Sequence, residues 1–220
     1  MLDEASARVM VARESFSTSV VGRVGVEVEW PVADANGARP SHRQLLESLC
    51  TPTALPYGSR VSLEPGGQVE VSSAPSESLA ACIRATMADV DCLRARARAA
   101  ELIMMDSAFD LREPRRVVNS RWYTALERQY AQFGPEGYAF ICNAASVQVN
   151  VDAGAPVAGY AGREHRWWLA NQLGPMLTAL FANSPAPSPN GAVTLRQLTR
   201  FRTDPSRTDP PVGVGSGMDT

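Results

Sequence analysis

The chain has 220 residues, 45% of them apolar, with 21 basic and 23 acidic side chains and a net charge of −2, enough for one sizeable globular core. That near-neutral balance excludes the basic field a nucleic acid or an anionic membrane would require. Every basic residue is an arginine, so a P-loop lysine and a Schiff-base lysine are both excluded, and phosphate must be met by arginine, backbone amides or a metal.

Residues 1–21 show no periodicity and are expected to form a flexible N-terminal arm or a loose helix. Arg23 to Trp30 alternates, with Val24, Val26, Val28 and Trp30 on one side and Gly25, Glu27 and Glu29 on the other, the pattern of a half-buried strand. Ser41 then N-caps a short helix. Arg60 to Pro75 reads as a hairpin turning at Pro65-Gly66-Gly67, with Glu64 before the turn and Glu70 after it. Leu79, Ile83, Met87, Val90, Leu93 and Ala97 recur at helical steps, so a helix is predicted from Ser76 to about Asp106, its other face carrying Arg94 and Arg98.

A second long helix is predicted over Ser120 to Phe133, burying Trp122 or Tyr123 with Leu126 and Tyr130. Ala144 to Asp152 is a strand with Val147, Val149 and Val151 against Ser146, Gln148, Asn150 and Asp152. Arg163 to Phe181 is a third helix, expected to bend at Gly174-Pro175 because proline removes one helical hydrogen bond. The Pro/Gly/Ser-rich residues 209–220 are expected to be a disordered tail. Cys50, Cys82, Cys92 and Cys142 are scattered and His42 and His165 isolated, which argues against a disulfide framework, a zinc site or a histidine-activated nucleophile. With no apolar run of spanning length and no charged-then-apolar leader, a cytoplasmic location is expected.

The three strands share a design: a valine face and a polar face that collects Glu27, Glu29, Glu70, Gln68, Gln148 and Asn150. Two readings stay open. One is an antiparallel sheet with a solvated face. The other starts from the absence of any basic residue on those polar faces, since neighbouring glutamates repel unless protonated or bridged by cations. A hard divalent ion such as Mg²⁺, held by carboxylate oxygen and accompanied by nucleotide phosphate, resolves that conflict. A glycoside hydrolase using two sheet carboxylates as acid and base is a third, weaker reading.

The segments GVEVEW, EPGGQVEVSSAP, LREPRRVVNS, ASVQVNVD, LGPMLTALFANSP and DPSRT follow one another in the order in which the glutamate–cysteine ligase family of plant and bacterial type carries them. The chain resembles that family from about Gly22 to Thr208, in particular the actinobacterial enzyme of the ergothioneine pathway. The resemblance implies an α+β fold, a curved and mainly antiparallel sheet with helices on its outer face, related to the glutamine synthetase catalytic core and incomplete here. Residues 22–208 would be the N-terminal part of the catalytic domain. It implies ATP-dependent ligation of L-glutamate, through γ-glutamyl phosphate, to the amine of L-cysteine, with Mg²⁺ and ATP required. Carried over by position, Glu27, Glu29, Glu64 and Glu70 match the metal-binding glutamates, with Glu27 and Glu70 also catalytic. Gln148 and Asn150 match polar positions near metal and nucleotide, and Arg166 is a candidate for substrate carboxylate or phosphate. Two departures stand out: Trp122 sits where the family has an arginine, and Arg200 where it has a tryptophan. Family enzymes are roughly twice as long, so the expected partners include a separate C-terminal half, and a non-catalytic remnant is the alternative.

Overall fold

The computed structural model describes residues 3–15, 22–184 and 194–204. The expected tail at 209–220, the DPSRT segment beyond Asp204 and most of the loop after Ser184 lie outside them. Helix α1, Glu4–Ser15, is exposed at Val9, Met10 and Val11. Strand β1, Val24–Trp30, is followed directly by β2, Val32–Asp34. Helix α2, His42–Ser48, starts as predicted at Ser41, whose hydroxyl accepts from the Gln44 amide at 3.2 Å.

The hairpin is β3, Arg60–Leu63, and β4, Val69–Ser72. Its turn closes with the Glu64 amide on the Gln68 carbonyl and the Gly67 amide on the Glu64 carbonyl, both at 2.8 Å. Gly67 adopts φ +84°, a region that favours glycine, and a Cβ on Gly66 would collide with the Cys142 carbonyl. The glycines therefore serve both turn geometry and close approach.

Helix α3, Leu79–Ala99, is N-capped by Ser78. It stops short of the predicted Asp106 because Glu101 takes φ +56° and the following apolar residues form β5, Leu102–Met104, paired antiparallel with β2. The predicted apolar face holds at Leu93 and Ala97, with Val90 packed against the core, and is corrected in its first half. Leu79, Ile83 and Met87 are exposed, while Cys82, Thr86, Asp89, Leu93 and Ala97 are buried. Two polar members hid that face from a hydrophobicity pattern. The Thr86 hydroxyl is satisfied by its own helix, donating to the Cys82 carbonyl at 2.8 Å. Buried Asp89 accepts the Tyr57 and Ser59 amides at 2.7 and 3.0 Å, pinning the loop that leads into β3.

The helix predicted over Ser120 to Phe133 is α4, Arg121–Tyr130, N-capped by Ser120, but none of its residues is fully buried and Trp122 is 71% exposed. The sequence reading missed α5, Glu136–Asn143. Strand β6, Val147–Val151, and helix α6, Arg163–Phe181, fall where expected, and α7, Leu195–Phe201, packs against α5.

The main sheet is open and antiparallel throughout, in the order β3-β4-β1-β6, and with the helices it makes an α+β fold. Its valine face is buried at one side only: Val69 and Val71 are fully buried with Trp30, Leu45, Leu49 and Leu93, whereas the β6 valines are exposed. A polar bracket sits at the other end of β1. Asp110 receives Arg39 and Arg112, each at 2.7 Å, and Asn143 donates to the Asp110 and Arg112 carbonyls at 2.7 and 2.8 Å. Burial alone would raise the Asp110 pKa, yet the bonds from Arg112 and Arg39 outweigh it and hold the carboxyl below its ordinary value.

Because Leu93 lies at 0% exposure inside the main cluster and Leu79 at 59% outside it, the two leucines of α3 should respond oppositely to truncation. Leu93→Ala is expected to cost about 2–5 kcal/mol of unfolding free energy, and Leu79→Ala to stay within about 0.5 kcal/mol. Urea melts of the two variants check this; equal losses would place the predicted face, not the observed one, in the core.

Candidate functional site

Strand register builds the site. Glu29 on β1 stands directly opposite Glu70 on β4, and Glu27 opposite both Ser72 on β4 and Gln148 on β6. Since residues two apart on a strand share a face, Glu27, Glu29, Glu70, Gln148 and Asn150 all lie on the sheet face away from the valines. Glu64 joins them from the end of the hairpin turn.

Glu29, Glu70 and Glu64 are held by neutral donors. Glu29 accepts the Ser146 amide at 2.9 Å, its hydroxyl at 3.2 Å and the Gln148 side-chain amide at 3.2 Å. Glu70 accepts the Ser62 and Ser72 hydroxyls at 2.9 and 2.8 Å. Glu64 accepts the Tyr123 hydroxyl at 3.4 Å, a long bond reaching from α4.

The sequence left open whether these charges are compensated. A cation does arrive, from an element no pattern pointed to. Arg196 on α7 lies in the field of Glu29, its guanidinium 6.0 Å from the centre of the Phe140 ring on α5. Burial lowers the Arg196 pKa, and Glu29 opposes that shift. One arginine does not neutralise the cluster. Burial, then the charges of Glu70 and Glu29, push the Glu64 carboxyl up to about 7 against the Tyr123 hydrogen bond. Glu29 is raised as well, first by burial, with Ser146 opposing and Glu70 adding. The Tyr123 hydroxyl, half-buried and facing Glu64, is pushed up to about 12 and stays a neutral donor.

These groups edge an open cavity of about 280 Å³. Its polar wall is Glu29, Glu64, Gln68, Ser146, Gln148 and Arg196, and its apolar wall comes from Trp122, Tyr123, Leu126 and Tyr130 of α4 with Phe140 and Ile141 of α5. Glu27 and Glu70 flank the cavity on the sheet. Asn150 lies one register step further out, opposite Gly25. Arg166 stands elsewhere: it pairs with Asp152 at 2.8 Å and donates to the Asp152 carbonyl at 3.2 Å, tying the start of α6 to the end of β6. Gln68, grouped with the polar strand face in the sequence, is instead buried, its amide donating to the Ala144 carbonyl at 2.7 Å.

The donor set of carboxylate and amide oxygens, with no sulfur or imidazole, suits a hard cation. Its residual repulsion, visible in the raised Glu64 and Glu29 carboxyls, is what such an ion relieves. Among the described residues no group of three or more His, Cys, Asp or Glu side chains is placed to hold a metal ion. The fit is therefore to an open site, with ligand and water oxygens completing the shell.

Fold and cavity together define an α+β domain with an acidic pocket on one face of an antiparallel sheet. The chain belongs to glutamate-cysteine ligase family 2, whose profile matches residues 23–216. It is 36% identical over 215 residues to the glutamate–cysteine ligase EgtA of Mycolicibacterium smegmatis, covering 94% of this chain and 50% of that protein. The EgtA of Mycobacterium tuberculosis H37Rv is likewise 36% identical, over 96% of this chain and 50% of its own length. A chloroplastic glutamate–cysteine ligase of Medicago truncatula is 31% identical over 67% of this chain and 29% of its own. The chain thus spans about half the length of the EgtA relatives it matches.

The Glu64 carboxyl gives a pH test with a fixed sign. Its pKa is raised on folding, from the model-peptide value of 4.5 to about 7, so the folded state binds more protons than the unfolded one across that window. Stability therefore falls as pH rises from about 4.5 through 7. Thermal melts in chelator should show Tm dropping between pH 5 and pH 8, Mg²⁺ restoring it at pH 8, and Glu64→Gln flattening the dependence. A pH-independent Tm would remove the repulsion argument.

Proposed function

We propose that this chain forms the glutamate-lined part of the active site of an ATP-dependent ligase that joins L-glutamate, through γ-glutamyl phosphate, to the amine of L-cysteine, acting in the cytoplasm and supplying γ-glutamylcysteine for ergothioneine synthesis. The observation that carries the reading is the Glu29–Glu70 register pair with Glu64 beside it, Glu29 and Glu64 lining one cavity and Glu70 flanking it, within a family of glutamate–cysteine ligases. Glu27, Glu29, Glu64 and Glu70 would hold Mg²⁺, with Glu27 and Glu70 also serving the reaction directly. Bound there, Mg²⁺ would neutralise phosphate charge during phosphoryl transfer, which depends mainly on positioning and electrostatics.

The chain's own residues do the rest. Ser62, Ser72, Ser146 and Gln148 orient the carboxylates by donating to them, which leaves the opposite lone pairs for a ligand. Gln148 is placed to meet substrate or nucleotide oxygen, with Asn150 one step out on the same strand face. Arg196, facing the cavity, is the better-placed partner for a substrate carboxylate or phosphate, since Arg166 is engaged by Asp152. The aromatic wall of α4 and α5 excludes water from one side, protecting an acyl phosphate from hydrolysis.

A second reading is one piece of a split ligase or a non-catalytic remnant, and the uncovered valine face of β6 favours an incomplete fold. Release of ADP by the purified chain in Mg²⁺, ATP, glutamate and cysteine separates these. The ligase reading expects release that needs both amino acids and falls roughly 10²-fold or more in Glu70→Gln. A folded chain that binds Mg²⁺ and releases no ADP is the remnant or split piece; one that binds neither Mg²⁺ nor nucleotide refutes the site.

A further inference from the structure

Helix α4 turns its apolar side to the cavity and not to the core. Trp122, Leu126 and Tyr130 recur every four residues, which puts them on one side of the helix, and all three line the cavity. None of them is buried, and at 71% exposure most of the Trp122 indole is free to meet a ligand. The other side of α4 fastens it: Arg116 pairs with Glu127 at 2.7 Å and donates to the Thr124 hydroxyl at 3.1 Å. Helix α5 fixes its far end, because a Cβ on Gly137 would collide with Tyr130. The wall is thus preformed, and apolar side chains held open around a few polar groups mark a small-molecule site.

Two polar atoms of residues on the same cavity lack partners. Gln68 is 2% exposed, and with its amide nitrogen committed to the Ala144 carbonyl at 2.7 Å its Oε1 accepts nothing among the described residues. Arg196 Nε likewise has no hydrogen-bond partner among them. A buried polar group left without a partner is costly. An acceptor, a cation and an apolar wall around one space complement an amine, a carboxylate and an apolar side chain, the three parts of an α-amino acid. At about 280 Å³ the cavity falls below the roughly 300–1,000 Å³ of sites for drug-sized ligands, so one amino acid fits it better than a whole nucleotide.

We propose that this cavity is an amino-acid subsite whose α4 wall selects a bulky apolar side chain, an aromatic one above all, and so admits a further class of amine substrate beside cysteine. The ligand's carboxylate meets Arg196, its amine meets Gln68 Oε1 and its side chain covers Trp122, Leu126 and Tyr130, where offset or edge-on ring contacts add to the area buried. The small side chain of cysteine would leave most of that wall bare. The inference rests on the ligase reading above for the reaction, though not for the binding. In turnover the amine, as free base, attacks the carbonyl carbon of γ-glutamyl phosphate. A C–N bond forms as the bond from that carbon to the phosphate oxygen breaks, phosphate leaves with the electron pair, and the amine's proton passes to water.

The test is calorimetric titration of the 220-residue chain with L-phenylalanine, L-cysteine and L-glutamate, and separately with ATP. L-phenylalanine should bind about tenfold or more tighter than L-cysteine or L-glutamate. Phenethylamine, which lacks the carboxylate, and 3-phenylpropionate, which lacks the amine, should both bind more weakly than L-phenylalanine. Trp122→Ala should weaken L-phenylalanine by about tenfold and Trp122→Phe should retain most of its affinity. Both variants should melt as the parent does, because the side chain is exposed. L-phenylalanine that binds no tighter than L-cysteine, or as tightly to Trp122→Ala as to the parent, overturns the proposal. Dependence on Trp122 for ATP alone overturns it in favour of a purine base on the α4 wall. Affinity is read here without turnover. A chain that binds L-phenylalanine and releases no ADP keeps the subsite and loses the ligase, and one that releases ADP with cysteine and ignores L-phenylalanine does the reverse.

Discussion

Two carboxylates face each other across a β-ladder, and much of the structure can be understood as making that tolerable. Glu29 and Glu70 are register partners, and like charges directly opposite are destabilising. The cost is moderated by neutral donors, three serines and a glutamine, and by a single guanidinium from α7. What remains unrelieved appears in Glu64, whose carboxyl is driven up to about 7. Such a cluster is stable only on a rigid support or with a counter-ion.

Rigidity comes from the other face and from the ends of the strands. Behind the carboxylates, Val69 and Val71 are locked into the main core with Leu45 and Leu93, so β4 cannot slip by one residue without turning its valines to water. At the hairpin, the Pro65 carbonyl accepts the Val117 and Val118 amides at 2.7 and 3.0 Å, binding the turn to the segment before α4. The Arg39–Asp110–Arg112 group ties that same segment to β2, since Arg112 also donates to the Val32 carbonyl at 2.9 Å. A buried ion pair adds little net stability compared with an apolar replacement but fixes one arrangement when fully hydrogen-bonded. Here the arrangement it fixes carries Glu64 on one side and Tyr123 on the other.

The molecule is therefore lopsided. The β3–β4 side of the sheet is a finished core, and the β6–α6 side is a surface of exposed valine, leucine and phenylalanine. The cavity lies toward the second side, where Ser146 and Gln148 of the β6 segment meet Glu29.

Alternation by itself determined the three strands of the acidic face and which residues share it, because a period of two needs no partner to be read. The Ser41, Ser78 and Ser120 caps and the Gly66-Gly67 turn are equally local, and they stand where serine and glycine chemistry puts them. Motif order carried the family. What only the tertiary structure decided is everything that depends on long-range packing. The buried face of α3 contains Thr86 and Asp89, polar residues whose burial makes sense once the Cys82 carbonyl and the Tyr57 and Ser59 amides are known to meet them. The LIM segment became a strand because β2 was there to pair with it. Arg196 could not be assigned to the glutamates from its own neighbourhood, since more than a hundred and sixty positions of chain separate it from Glu29 and only the packing of α7 on α5 brings the two charges together.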